Sequence, residues 1–175
     1  MRFPAVGPTL VGMATWNEVA TAAPELAQAV QAAFDAHKHK ALATLRADGS
    51  PRISGIEALF WDGQLWLGMM GGSRKARDLQ RDPRLALHSG MVDTELTGGD
   101  ARISGRGEEI TDEETIRAWV GAVNAESGMD PPGPFHLFRV DVAEVVLVRV
   151  GGDPPDHLVI DSWREDRGYR RAERR

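Results

Sequence analysis

The chain of 175 residues is 42% hydrophobic and 27% charged, long enough to bury one sizeable core and short for two, so one domain is expected. Its 26 acidic residues outnumber 21 basic ones and leave a formal net charge of −5, the reverse of what a polyphosphate binder carries, which excludes nucleic acid as an expected partner. The sequence has no cysteine, which removes disulfide frameworks, thiolate zinc sites and thiol catalysis and fits a reducing cytoplasm.

The first twelve residues hold a single Arg2, two prolines and no long apolar run, so they make neither a signal peptide nor a membrane anchor. Residues 1–14 are expected as an N-terminal arm and 15–175 as the folded domain. From Thr15, the text Thr-Trp-Asn-Glu is a capping box, and Leu26, Val30, Ala33 and Phe34 then share a helical face, so a helical segment is expected to about His37. Three apolar runs follow, Ala41 to Arg46, Arg52 to Trp61 and Gln64 to Met70, separated by Asp48-Gly49 and Asp62-Gly63. Asp-Gly between apolar runs is a hairpin signal because both turn residues must accept positive φ, so three antiparallel strands are expected.

After Gly71-Gly72-Ser73 the basic run Arg74 to Arg81 is expected as a helix of about two turns, which Pro83 ends. Arg84 to Ser89 reads as strand, residues 90–99 as a glycine-rich loop, and Ala101 to Ile110 as strand again. Thr111 to Glu114 spells a second capping box, opening a helix with Ile116, Trp119, Val120 and Val123 on one face that should lie on a sheet. A proline loop from Gly128 to Pro134 precedes Phe135 to Val150, where Val145-Val146-Leu147-Val148 suggests burial on both faces. A last strand over His157 to Trp163 then leads to a charged tail ending Arg174-Arg175. Six or more short strands and few helices indicate a mainly β fold, an antiparallel barrel with peripheral helices.

Chemistry concentrates in Gly71-Gly72-Ser73-Arg74-Lys75-Ala76-Arg77. A strand ending in two glycines delivers a Ser to the start of a basic helix, so free amides, a positive helix end, a hydroxyl and several cations converge, which suits a phosphate monoester. A capped surface helix with solvated cations is the competing reading of the segment alone.

The run from Leu42 to His88 resembles the pyridoxamine 5'-phosphate oxidase-like superfamily of flavin- and deazaflavin-binding split barrels. Its matching text is Leu-Ala-Thr-Leu-Arg-Ala-Asp-Gly-Ser-Pro-Arg (42–52), Asp-Gly-Gln-Leu-Trp-Leu (62–67) and Ser-Arg-Lys-Ala-Arg-Asp-Leu-Gln-Arg-Asp-Pro-Arg-Leu-Ala-Leu (73–87), with an echo at 101–108. The resemblance implies a six-stranded antiparallel split barrel of the FMN-binding type, forming a homodimer with FMN or the deazaflavin coenzyme F-420 in a cleft between subunits. Ser73, Arg74 and Lys75 would grip the cofactor phosphate, while Arg52, Ile53 and Ser54 on the second strand and Met69 and Met70 on the third would line it. No obligate catalytic acid or base is implied, because the ring chemistry belongs to the cofactor.

Two departures bear on the activity expected. Ser54 stands where the namesake enzyme brings an Arg to the phosphate, and His157-Leu158-Val159 stands in place of its Arg-x-His substrate clamp. The expectation is therefore a cytoplasmic oxidoreductase that transfers hydride to a small conjugated substrate, not a pyridoxamine 5'-phosphate oxidase proper. Deazaflavin is favoured over FMN because these two departures remove FMN phosphate charge and pyridoxal phosphate recognition, and Arg77, Arg81 and Arg84 could also meet the carboxylates of its extended tail. A non-catalytic cofactor carrier and a haem-binding split barrel, with His88 or His157 as axial ligand, stand as alternatives. No metal site is expected, since the histidines lack partners at ligand spacing. The tryptophans read as core, with Trp163 also weighed as cover for a cleft.

Overall fold

The computed structural model describes residues 13–90, 96, 98–128 and 133–175. Most of the expected arm, most of the 90–99 loop and residues 129–132 of the proline loop lie outside these. Ala14, placed in the arm by the sequence reading, exchanges backbone hydrogen bonds with Val142, at 2.9 and 2.7 Å.

The N-terminal helical segment is two helices, α1 (Trp16–Ala22) and α2 (Pro24–Asp35). Pro24 divides them: it lacks an N–H and biases the residue before it away from the helical region, so Ala23 sits at φ −145°. The Thr15 capping box is formed in both directions, with the Thr15 hydroxyl accepting from the Glu18 amide and the Glu18 carboxylate accepting from the Thr15 amide.

The strands are β1 (Lys40–Leu45), β2 (Pro51–Ile56), β3 (Ala58–Trp61), β4 (Gln64–Met70), β5 (Arg84–His88), β6 (Asp100–Ile110), β7 (Phe135–Gly152), β8 (Pro155–Arg164) and β9 (Gly168–Arg174). All pairings are antiparallel, in the order β2-β1-β5-β6-β7-β4-β3, with β8 added on β7 and β9 on β8. β2 and β3 are the two ends of that path, yet Glu57 alone separates them in sequence. The sheet must curl until its ends nearly meet, which is a split barrel. The second expected strand, Arg52 to Trp61, is thus two strands with different partners, since the chain turns at Glu57 from one sheet edge to the other.

The barrel interior is filled by Leu42, Leu65, Leu67, Ile103, Val140, Val142, Val145 and Leu147, with Leu26, Val30 and Phe34 of α2 in the same cluster. Fully burying a side chain such as Phe34, at 0% exposure, contributes about 1.5–3 kcal/mol. Helix α3 (Arg74–Arg81) forms where it is expected. Helix α4 (Glu113–Ser127) packs outside the sheet, its Trp119 clustering with Trp66 and Leu137. A Cβ on Gly68 of β4 would lie 2.5 Å from the Trp119 ring, so that position has room for glycine only. The cap of α4 is Asp112, whose carboxylate accepts from the Thr115 amide at 2.8 Å, and not Thr111; a carboxylate one residue closer is the stronger acceptor at a positive helix end.

Two further readings are corrected. Val145 and Leu147 are buried in the chain's own core while Val146 and Val148 are half-buried, so β7 there is one-faced. The charged tail is strand β9, hidden from hydropathy patterning because every residue in it is exposed. Its anchor is Asp161 on β8, 2% exposed, which accepts from Tyr169 Oη at 2.6 Å, Arg171 Nε at 2.7 Å and Arg149 Nη2 at 2.5 Å. Trp163 belongs to the core.

Candidate functional site

The turn Gly71-Gly72-Ser73 joins β4 to α3. The Gly71 amide donates to the Pro134 carbonyl at 2.9 Å, and a Cβ on Gly71 would stand 2.6 Å from that oxygen, while Gly72 takes φ +70°; the chain can pass here only without side chains. Ser73 occupies the N-cap position of α3 in extended conformation, but its hydroxyl makes no capping bond. The Ser73 Oγ is instead buried with no hydrogen-bond partner among the described residues. Buried polar atoms are almost always paired, and this one lies at a helix end whose first amides also lack a side-chain acceptor.

Arg74 is exposed and, among the described residues, has no ion pair. Lys75 reaches back to β2, where its Nζ donates to the Gly55 carbonyl at 2.5 Å. Partial burial of that ammonium pushes its pKa down, opposed by the charge of Glu57. The seam between α3 and β2 is completed by Asp78, 4% exposed, which accepts from Arg52 Nε at 2.6 Å, Thr44 Oγ1 at 3.0 Å and Arg81 Nη2 at 3.1 Å. Burial works to raise the Asp78 pKa, but the bonds from Arg52, Arg81 and Thr44 outweigh it and hold the carboxyl below its usual range.

Outside this seam is an open basin of about 400 Å³ lined by Arg46, Asp48, Arg52, Arg74, Arg77, Asp78 and Arg81. Five guanidinium groups face two carboxylates there, a local reversal in a chain of net charge −5. Arg46 is pinned by the Pro51 carbonyl at 2.6 Å, and Arg81 also donates to the Leu45 carbonyl. Arg77, like Arg74, has no ion pair among the described residues. Arg84, expected in this group, points elsewhere and pairs with Asp82 at 2.6 Å.

Among the expected site residues, Lys75 is tied to β2, Arg74 lines the basin with Arg52, and Ser73 stands at the start of α3. Arg52 has its Nε engaged by Asp78. Strand alternation divides the rest: Arg52 and Ser54 are partly covered and Ile53 between them is 78% exposed, while Met69 is in the barrel core and Met70 is 75% exposed. Ile53 and Met70 are apolar side chains left open in the single chain.

The sequence reading missed Asp78 as the organiser, although its spacing from Arg74 and Arg81 puts all three on one helical face. It also missed a chain of polar groups under the turn. The Gly72 amide donates to His136 Nε2 at 3.2 Å, His136 Nδ1 lies 2.7 Å from Glu109 Oε1, and Gln80 Nε2 donates to both Glu109 oxygens at 3.0 Å. These residues come from β7, β6 and α3 and have no local signature. Two other histidines are engaged: His88 Nδ1 accepts from the Gly90 amide at 3.1 Å and its Nε2 lies 2.6 Å from Asp100 Oδ1, and His157 Nδ1 is 2.6 Å from Asp156 Oδ1. Among the described residues no group of three His, Cys, Asp or Glu could hold a metal ion, and no helix is long and apolar enough to cross a membrane.

A family model describing pyridoxamine 5'-phosphate oxidase matches residues 26–149. The chain belongs to this family. The matched part runs from α2 into β7 and contains the glycine turn, α3 and the basin, whereas β8 and β9 lie beyond it. No curated protein sequence matches the chain. Among solved structures, a pyridoxamine 5'-phosphate oxidase-related, FMN-binding protein from Nostoc punctiforme superposes with a TM-score of 0.60 at 16% identity, over 87% of this chain and 96% of the other. A NimC/NimA family protein from Clostridium acetobutylicum gives 0.60 at 14%, over 90% and 96%. The haem storage protein HutZ from Vibrio cholerae gives 0.55 at 18%, over 69% and 89%. At these identities the likeness is one of fold.

Proposed function

We propose that the protein is a cytoplasmic flavin- or deazaflavin-dependent oxidoreductase, working as a homodimer, with the cofactor phosphate held at the start of α3. The observation that carries this is the buried Ser73 Oγ, without a partner among the described residues, beside an uncapped helix end and the cations of Arg74 and Lys75. A phosphate supplies what that hydroxyl and those amides lack. The residues present fit the group, since the Ser73 hydroxyl and the first α3 amides have no side-chain acceptor among the described residues and two cations follow them in the chain.

When bound, the cofactor ring supplies hydride transfer to a small conjugated substrate. The chain's part is to fix the phosphate through Ser73, Arg74 and Lys75 and to keep water from the ring through apolar cover. Ile53 and Met70, at 78% and 75% exposure, are the side chains a second copy of this chain would cover. Deazaflavin is favoured over FMN by the basin: Arg74 and Arg77, without an ion pair among the described residues, with Arg46, Arg52 and Arg81 held beside them, suit the carboxylates of an extended acidic tail. The haem alternative needs a free axial imidazole: His88 has Nδ1 bonded by the Gly90 amide and Nε2 2.6 Å from Asp100, whereas His157 has Nδ1 beside Asp156 and its Nε2 4.0 Å from Glu173, so His157 is the ligand that reading would use.

The test is titration of the apo-protein with FMN, riboflavin and F-420. Charge-assisted hydrogen bonds contribute roughly 1.5–3 kcal/mol, so Lys75→Ala should weaken FMN by about 10- to 150-fold and leave riboflavin nearly unchanged. Equal losses for both would remove Lys75 from the phosphate site. Submicromolar FMN with oxygen-dependent turnover of pyridoxamine 5'-phosphate would overturn the deazaflavin preference, and sedimentation as a monomer at micromolar concentration would overturn the dimer.

A further inference from the structure

The turn that would hold the phosphate is not held by its own hydrogen bonds alone. Gly71 is fixed through its amide to Pro134, and the Ser73 amide bonds the Met70 carbonyl at 3.2 Å. Gly72, between them, has a backbone N–H with a choice of acceptor, and it is aimed at the His136 ring. An imidazole nitrogen that accepts carries no proton, so the ring proton is on Nδ1, where the Glu109 carboxylate accepts it at 2.7 Å, while the Gln80 amide nitrogen, 3.4 Å from the same Nδ1, directs its hydrogens to the Glu109 oxygens at 3.0 Å. Glu109 is held in turn by the Gln80 amide on both oxygens, and Gln80 stands on the last turn of α3. A continuous path thus runs from the middle of the turn through β7 and β6 and back to the helix the turn opens. His136 and Glu109 are both mostly covered, at 23% and 28% side-chain exposure, and neither faces the basin.

We propose that His136 is a positioning residue for the phosphate turn, its neutral Nδ1–H form fixed by Glu109 and Gln80. It takes the Gly72 amide out of competition and sets the turn so that the Ser73 hydroxyl and the α3 amides converge on one anion. This rests on the functional reading given above, and it adds a residue 63 positions beyond Ser73 in sequence that never touches the ligand. The role demands an acceptor at the place of Nε2, a requirement that shape alone does not impose. Glutamine extends its carboxamide oxygen to about that place, whereas asparagine, one methylene shorter, ends near the place of Nδ1 and cannot reach Gly72.

The experiment compares wild type, His136→Gln, His136→Asn and Glu109→Gln in FMN and riboflavin titrations, with nitrogen NMR of the histidine rings in the apo-protein. Wild type should show His136 as the Nδ1–H tautomer. His136→Asn should weaken FMN by about 5- to 30-fold, the range of one hydrogen bond and the order it imposes, with riboflavin unchanged; His136→Gln should restore FMN affinity to within about threefold of wild type, a difference well under 1 kcal/mol. Glu109→Gln should shift the ring toward a mixture of tautomers and weaken FMN alone. If wild type binds FMN and His136→Asn binds it equally well, or if Gln and Asn lose FMN and riboflavin alike, the positioning role is wrong while the phosphate site stands. An Nε2–H ring in wild type refutes it without any ligand. If wild type binds no phosphorylated flavin or deazaflavin although its ring is Nδ1–H, the functional reading is what fails, and the positioning role goes with it.

Discussion

Asp78→Asn isolates the charge at the seam between α3 and β2 from its shape. The carboxylate is 4% exposed and takes three donors. Arg81, with its side chain 41% exposed, contributes in the manner of a solvated pair, about 0–1 kcal/mol. Arg52 is 18% exposed and 2.6 Å away, and a hydrogen bond between charged groups there is worth about 1.5–3 kcal/mol. Asparagine keeps one acceptor, presents an N–H where the other oxygen was, and leaves the Arg52 charge without its counter-ion, so the net loss should be about 2–4 kcal/mol. For a chain of this length that is a fall in Tm of roughly 5–15 °C. Because the folded carboxyl holds its proton less firmly than the unfolded one, its contribution is complete above the ordinary carboxylate range and is lost as pH falls through the depressed pKa. Urea unfolding of both proteins from neutral to acid pH should show a gap that closes on acidification. Arg52→Met combined with Asp78→Leu should recover most of the loss, since removing both partners leaves no buried charge alone. A variant within about 0.5 kcal/mol of wild type at pH 7, or a gap that does not depend on pH, would show that the seam is held by packing and not by charge.

Asp161 should dominate the acid sensitivity of β8 and β9: burial works to raise its pKa, but bonds from Arg171, Tyr169 and Arg149 bring it down to about 2, so up to about 2.5 kcal/mol of neutral-pH stability disappears as pH falls from about 4 to 2. Asp161→Asn should flatten that limb and remove exchange protection from the amides of residues 168–174 first; unchanged protection would mean the backbone ladder alone holds β9. Gly71→Ala puts a Cβ 2.6 Å from the Pro134 carbonyl, an overpacking that should cost about 1–3 kcal/mol and, by shifting the turn, weaken FMN more than riboflavin. Equal weakening would place the turn away from the phosphate.

The sheet hairpins were readable because Asp48-Gly49 and Asp62-Gly63 each sit between apolar runs, and Gly49, Asp62 and Gly63 do take positive φ. The break at Glu57 was not, since nothing local distinguishes a strand that bends from one that changes partners. At the site, the glycines, Ser73 and the basic helix lie within a few residues of one another, and short-range chemistry reveals itself in sequence. Asp78 carried a readable spacing but an Asp on a basic helix looks like an ordinary surface pair, and its burial depends on β1 and β2 folding over it. His136 and Glu109 owe their contact to the β6–β7 register, which pairs Glu109 with Phe138 and Ile110 with Leu137, a long-range fact. β9 was hidden because what ties it down is a backbone ladder to β8 and one buried carboxylate there, and period-two hydropathy is silent about both.

The 18-residue strand β7 has a consequence for the growing chain. It pairs with β4, β6 and β8, so a nascent chain that has emerged only as far as residue 128 holds two separate sheets, β2-β1-β5-β6 and β3-β4, tethered through Glu57. The edges of β6 and β4 that β7 will later occupy are both open, and an open strand edge is a template for wrong pairing, including with the same edge of another nascent chain. Synthesis of Phe135 to Val148 therefore acts as the committing event: one stretch of polypeptide seals both edges at once, and a ribosome stalled before it would present the cell with an adhesive half-barrel.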